Sequence, residues 1–126
     1  MSVLWSQQAA MQAALGMILD SRLFSLSPKH VTVSTVGVTD KIRALATDIP
    51  AARLALSLHA PTQALRETIV PSAKAYNLPT LMQALQGYLT IKQGHAFIEY
   101  MMLHGVNDGL EQARDCLLYT SPSPRD

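Results

Sequence analysis

Three short clusters carry the residue types that could do chemistry. Ser34-Thr35-Val36-Gly37 sets two hydroxyls before a glycine. Such a turn leaves backbone N–H groups approachable by a carboxylate, a ribose or a phosphate. The plainer reading is a turn whose hydroxyls bond locally. Ser57-Leu58-His59 puts a hydroxyl and an imidazole two residues apart, so on a strand they share one face while Leu58 takes the other. That pair could hydrogen-bond a ribose or an amino-acid group, or a neighbouring backbone group could satisfy the imidazole. A Ser–His hydrolase is a weaker option: no G-x-S-x-G elbow is present, and positions i and i+2 of a strand rarely reach nucleophile–base geometry. Glu99 stands inside an apolar run, where an unpaired carboxylate is costly to bury. It should face a pocket or a cation. Asn107 and Asp108 read as turn and cap residues rather than ligands.

Strands must bring these clusters together. Val31 to Val36 is β-branched nearly throughout and ends in Gly37, which predicts a strand and a turn. Arg53 to His59 and Ala96 to Leu103 predict a second and a third strand. Between them lie helical patterns. Residues 6–20 show little polar face and predict a well-buried helix. Thr39 is placed to cap a short helix through Ala46, with Ile42, Leu45 and Ala46 inward. Thr62 is placed to cap another, with Leu65 and Ile69 inward. Leu78, Leu81, Met82, Leu85 and Leu89 form the clearest amphipathic stripe, stopped by Gly94. Asp108-Gly109-Leu110-Glu111 has capping-box spacing and predicts a last helix.

This alternation means parallel strands joined by right-handed crossovers. The expected fold class is α/β: three parallel strands with flanking helices, apolar on both faces, forming a slice of a partial (β/α) barrel. In such folds ligands bind beyond the carboxyl ends of the strands, where all three clusters fall.

Composition bounds the function class. With 126 residues one domain is expected, and 48% apolar against 15% charged residues excludes a disordered chain. A net charge of +1 neither demands nor excludes a nucleic-acid partner. No apolar run reaches the roughly 18–20 residues of a membrane span. No Lys or Arg precedes Arg22, so the start does not read as a signal peptide. The expected location is cytoplasmic, or organellar in a eukaryote. Cys116 is the only cysteine, which leaves neither a disulfide nor a multi-cysteine metal site.

Cys116 to Asp126, CLLYTSPSPRD, resembles over its whole length the translated end of a transposase adapter used for sequencing libraries. The chain is therefore expected to divide into residues 1–115, a partial barrel, and 116–126, an adapter-derived tail, with the natural frame interrupted at about Asp115. The alternative is a natural Pro/Ser tail.

The segments VTVSTVGV (Val31–Val38), LALSLHAP (Leu54–Pro61), LRETIVP (Leu65–Pro71), IEYMML (Ile98–Leu103) and GVNDGLEQA (Gly105–Ala113), in this order, resemble one family. It is the radical S-adenosylmethionine (SAM) dual-specificity methyltransferases that act on adenine C2 of ribosomal and transfer RNA. The resemblance runs from about Gln8 to Asp115. It implies SAM and a [4Fe–4S] cluster as cofactors of the parent enzyme, and ribosomal RNA and transfer RNA as its partners. By position it implies that Ser34, Ser57, Leu58 and His59 line the SAM site.

The departures are as specific. The family's C-x-x-x-C-x-x-C cluster loop has no counterpart here, and Met1 to Leu4 stands where a Gly-Glu-Pro motif is expected. The two methyl-handling cysteines fall outside the matching segment, and so does a later strand with a SAM-contacting Asn. The chain is thus expected to be an internal fragment: part of a SAM pocket, with no catalytic residue and no metal ligand of its own, inactive and self-associating when isolated. The alternative is a small non-enzymatic α/β module that binds a nucleotide or a partner.

Overall fold

A computed structural model describes residues 8–120. Helix α1 (Gln8–Leu19) leads through a 3-10 turn at Pro28–His30 into β1 (Thr32–Thr35). Then follow α2 (Thr39–Asp48), β2 (Arg53–Ser57), α3 (Gln63–Ile69), α4 (Leu78–Lys92), β3 (Phe97–Glu99) and α5 (Leu110–Thr120). The strands form one parallel sheet in the order β1-β2-β3. The α/β class, the parallel pairing and the flanking helices thus stand as the sequence predicts. No helix among the described residues is long and apolar enough to cross a membrane.

The period of two sorts the sheet into two faces. Leu54 and Leu56 on β2, with Leu58 just beyond it, are fully buried, and Val33 and Ile98 pack against the same core. Ile42, Leu45 and Ala46 of α2 and Leu78, Leu81, Ala84, Leu85 and Tyr88 of α4 close over them. The other face carries Thr32 and Ser34, then Arg53, Ala55 and Ser57, then Phe97 and Glu99. Its large and charged members are exposed. Two expectations are corrected here, that the strands are apolar on both faces and that Leu54, Leu56 and Ile98 form an open apolar inner face: only the helix-facing side is apolar, and these three lie on it.

Local details differ from expectation for identifiable reasons. Thr39 is the first residue of α2, not its cap, and its side chain is buried. Thr62 does cap α3, its hydroxyl accepting from Leu65 N–H, yet the fully buried residue of that helix is Arg66, with Leu65 and Ile69 half-buried. On α4 the buried stripe takes in Ala84 and Tyr88, while Met82 and Leu89 sit at its margin. Gln93, in the left-handed region at φ 49°, ends α4 ahead of Gly94. Asp108 does not cap α5; its carboxylate accepts from Gly105 N–H at 3.0 Å and closes the preceding turn. Among the described side chains of helix α1 only Leu15 is buried, with Met17 half exposed, because no described element covers its far side.

Strand β3 is shorter than the expected run to Leu103. Two backbone donors beyond Glu99 are taken by side chains: Met101 N–H donates to His59 Nδ1 at 3.0 Å, and Leu103 N–H to Asn107 Oδ1. Donors captured in this way are lost to a ladder. Within α5, Leu117 and Leu118 are exposed whereas Cys116 packs at the edge of the core. Residues 121–126 of the proposed tail lie outside the described residues.

Candidate functional site

The parallel register sets Ser34 beside Ala55 and Ser57 beside Glu99, all on the helix-free face. Their side chains converge at the carboxyl edge of the sheet. Ser57 Oγ donates to Glu99 Oε2 at 2.7 Å, and Ser34 Oγ to the same oxygen at 2.8 Å. The two hydroxyl oxygens are 3.5 Å apart. Glu99, which an apolar run made conspicuous, therefore has its partners across the sheet. The Ser57 and Ser34 hydrogen bonds hold its carboxyl below the ordinary glutamate range, against a smaller upward push from burial. It is a carboxylate at neutral pH.

His59 follows the end of β2 in the left-handed region, at φ 63°. A non-glycine residue there is uncommon, and the surrounding structure must hold it. Asn107 does so: buried, it donates through Nδ2 to the carbonyls of His59 at 2.7 Å and Met101 at 2.8 Å. A backbone N–H can only donate, so the bond from Met101 N–H requires an unprotonated Nδ1. The ring is then the neutral tautomer with its proton on Nε2. Burial, then the nearby Arg66 charge, push the His59 pKa down; Glu99 opposes them.

Arg66 was given no role by sequence reasoning, although it lies within a segment that carries the resemblance. Fully buried, it donates through Nε to Leu58 O at 3.0 Å and through Nη2 to Ser57 O and Val36 O. One guanidinium thus ties the ends of β1 and β2 together, the forked use for which lysine has no equivalent. No periodicity marks such a residue, because a charge at a helix position reads by default as solvated.

The other expected site residues separate. Thr35 is buried on the helix side, where its hydroxyl accepts from Gly37 N–H at 3.1 Å. The turn therefore offers neither that hydroxyl nor that amide to a ligand, which corrects the reading of two hydroxyls beside an approachable backbone. Gly37 is needed for packing: at φ 113°, a Cβ there would lie 2.8 Å from Leu81 Cδ1. Leu58 points into the core, with its N–H donating to Glu99 O and its carbonyl held by Arg66. Asn107 and Asp108 serve the turn, as expected, but not as a cap of α5.

Ser34, Ser57 and Glu99 thus form a small polar edge, rich in acceptors and anionic, with the neutral His59 ring near enough for the Glu99 charge to act on it. It suits a ligand bearing ammonium or hydroxyl groups. No protein-family model matches the chain. Among solved structures it is similar to a radical SAM methyltransferase from Sphaerobacter thermophilus, at 27% identity and a TM-score of 0.86 over 92% of this chain. The chain spans 34% of the length of that enzyme. Fold and identity together support a relationship between this chain and the radical SAM methyltransferases.

Proposed function

We propose that the chain is an internal segment of a radical SAM methyltransferase that modifies adenine C2 in ribosomal RNA, transfer RNA or both, and that it contributes part of the SAM pocket. The convergence of Ser34, Ser57 and Glu99 at the carboxyl edge, beside a fixed neutral His59, carries this reading. Ser34, Ser57 and His59 would hold SAM, and Leu58 would act through the backbone it fixes. The hydroxyl lone pairs and the Glu99 carboxylate accept from ribose hydroxyls or an ammonium group, and His59 Nε2–H donates. Bound SAM supplies the methyl group and the radical precursor; this edge binds and orients it.

The residues present do not fit a [4Fe–4S] cluster. Thiolates hold such clusters, and the chain has Cys116 alone. Among the described residues no group of three or more His, Cys, Asp or Glu is placed to hold a metal ion. The ligands belong, on this reading, to the rest of the parent enzyme.

Sequencing the genomic DNA on both sides of the reading frame tests the proposal. A C-x-x-x-C-x-x-C loop and a Gly-Glu-Pro motif in frame upstream are expected; a native frame without them overturns it. In the complete enzyme, Ser57→Ala should raise the KM for SAM more than it lowers kcat. Mass spectrometry of the methylated adenines then assigns the RNA class.

A further inference from the structure

The opposite, amino-terminal end of the sheet carries a second concavity. A hollow of about 470 Å³ opens where the turn before β1, the starts of β2 and β3 and the end of α4 meet. Lys29, Arg53, Lys92 and His95 line it, and no carboxylate of the described residues does. Three lysines and arginines of a nearly neutral chain thus face one volume, and no Asp or Glu of the described residues joins them. Gathering like charges without counter-charge opposes folding, and a bound anion relieves it.

Four features bear on what the hollow would accept. Lys92 is fixed at the rim by donating to Pro50 O. Lys29 and Arg53 are exposed and form no ion pair among the described residues. Tyr88, in the wall, is fully buried; its hydroxyl lies near the Leu54 amide but has no hydrogen-bond partner of sound geometry, so its own proton lacks an acceptor. A buried donor without an acceptor is costly to leave so. Phe97, 49% exposed, adds a flat apolar surface beside the cations. Cations next to an exposed ring suit a phosphate joined to a base.

We propose that this hollow is a phosphate-binding site for a nucleotide, free or within a single strand, with Lys29, Arg53 and His95 on the phosphate and Phe97 against the base. It is independent of the serine–glutamate edge, at the other end of the strands.

Lysine acylation of the whole chain, read by mass spectrometry, gives a site-resolved test that tolerates association. Lys74 is exposed and outside the hollow, and serves as the internal reference. Pyrophosphate, adenosine monophosphate and a short single-stranded RNA are the probes. Each should slow acylation of Lys29 relative to Lys74 by at least about fivefold at low salt, and less as salt rises. Arg53→Ala with His95→Ala, both exposed positions, should remove the protection while circular dichroism stays unchanged. Ser34→Ala with Ser57→Ala should leave it intact. Protection by RNA beyond that of the mononucleotide at equal phosphate assigns a strand; equal protection assigns a free nucleotide. A Lys29-to-Lys74 rate ratio that none of the three probes changes, or protection that survives the Arg53/His95 change, would overturn the site.

Discussion

Ser34 and Ser57 lie 23 residues apart in the chain, yet their hydroxyls meet 3.5 Å from each other on one oxygen of Glu99. The carboxylate that joins them is stabilised in its charged form, so folding favours ionisation. A carboxyl with a lowered folded pKa adds stability above its unfolded value, and loses it as pH falls through the folded one. The urea midpoint should therefore drop from about pH 5 downward, and drop less in Glu99→Gln. Equal acid sensitivity in the two proteins would count against the arrangement.

His59 should add a second, separate step. Its folded pKa lies below the ordinary histidine value, and protonation breaks the bond from Met101 N–H. The unfolded chain then binds the proton more readily, so stability falls as pH drops through and below the histidine range. His59→Asn keeps a residue tolerant of positive φ and should abolish this step. Denaturation curves between about pH 7.5 and 5.5 would show it.

Arg66→Met should cost about 2–4 kcal/mol, since it strands buried carbonyls at Val36, Ser57 and Leu58. Arg66→Lys should recover little of this, because one ammonium cannot fork to both strand ends. Urea denaturation gives both values. A near-neutral Arg66→Lys would mean that the guanidinium geometry is unimportant.

Gly37→Ala should destabilise by about 1–3 kcal/mol, combining positive φ with a close approach to the Leu81 side chain. In the double variant with Leu81→Ala the contact cost should vanish and the backbone cost persist. A double-mutant cycle separates them.

The isolated chain should self-associate. β1 and β3 each have an outer edge unpaired among the described residues, and such edges template further pairing. Phe97, Met101 and Met102 are exposed beside β3, and a net charge of +1 gives little repulsion. Light scattering should report oligomers; a clean monomer with a cooperative melt would favour a self-sufficient binding module.

Much of the fold was legible because it rests on short-range patterns. The β-branched run before Gly37 and the Leu78–Leu89 stripe each announce an element through steric preference and periodicity. The faces were less legible. Leu54, Leu56 and Ile98 read as an open inner face yet lie under the helices, since alternation in a five-residue strand does not say which face the helices cover. The third strand was overextended for a similar reason: nothing local in Tyr100 to Leu103 shows that His59 and Asn107 capture its donors from elsewhere.

By itself the sequence determined the α/β class, the order of elements, the lack of a thiolate set for a cluster, and Ser34, Ser57, His59 and Glu99 as residues needing an explanation. These follow from composition and spacing, which act over a few residues. Only the tertiary structure decided that Glu99 is the common acceptor of both serines, that Thr35 and Leu58 turn away, and that Arg66 locks the strand ends from within the core. Those outcomes depend on parallel register and on which face is covered. Both are settled by contacts such as Ser57 with Glu99, 42 residues apart, whose existence no local preference encodes.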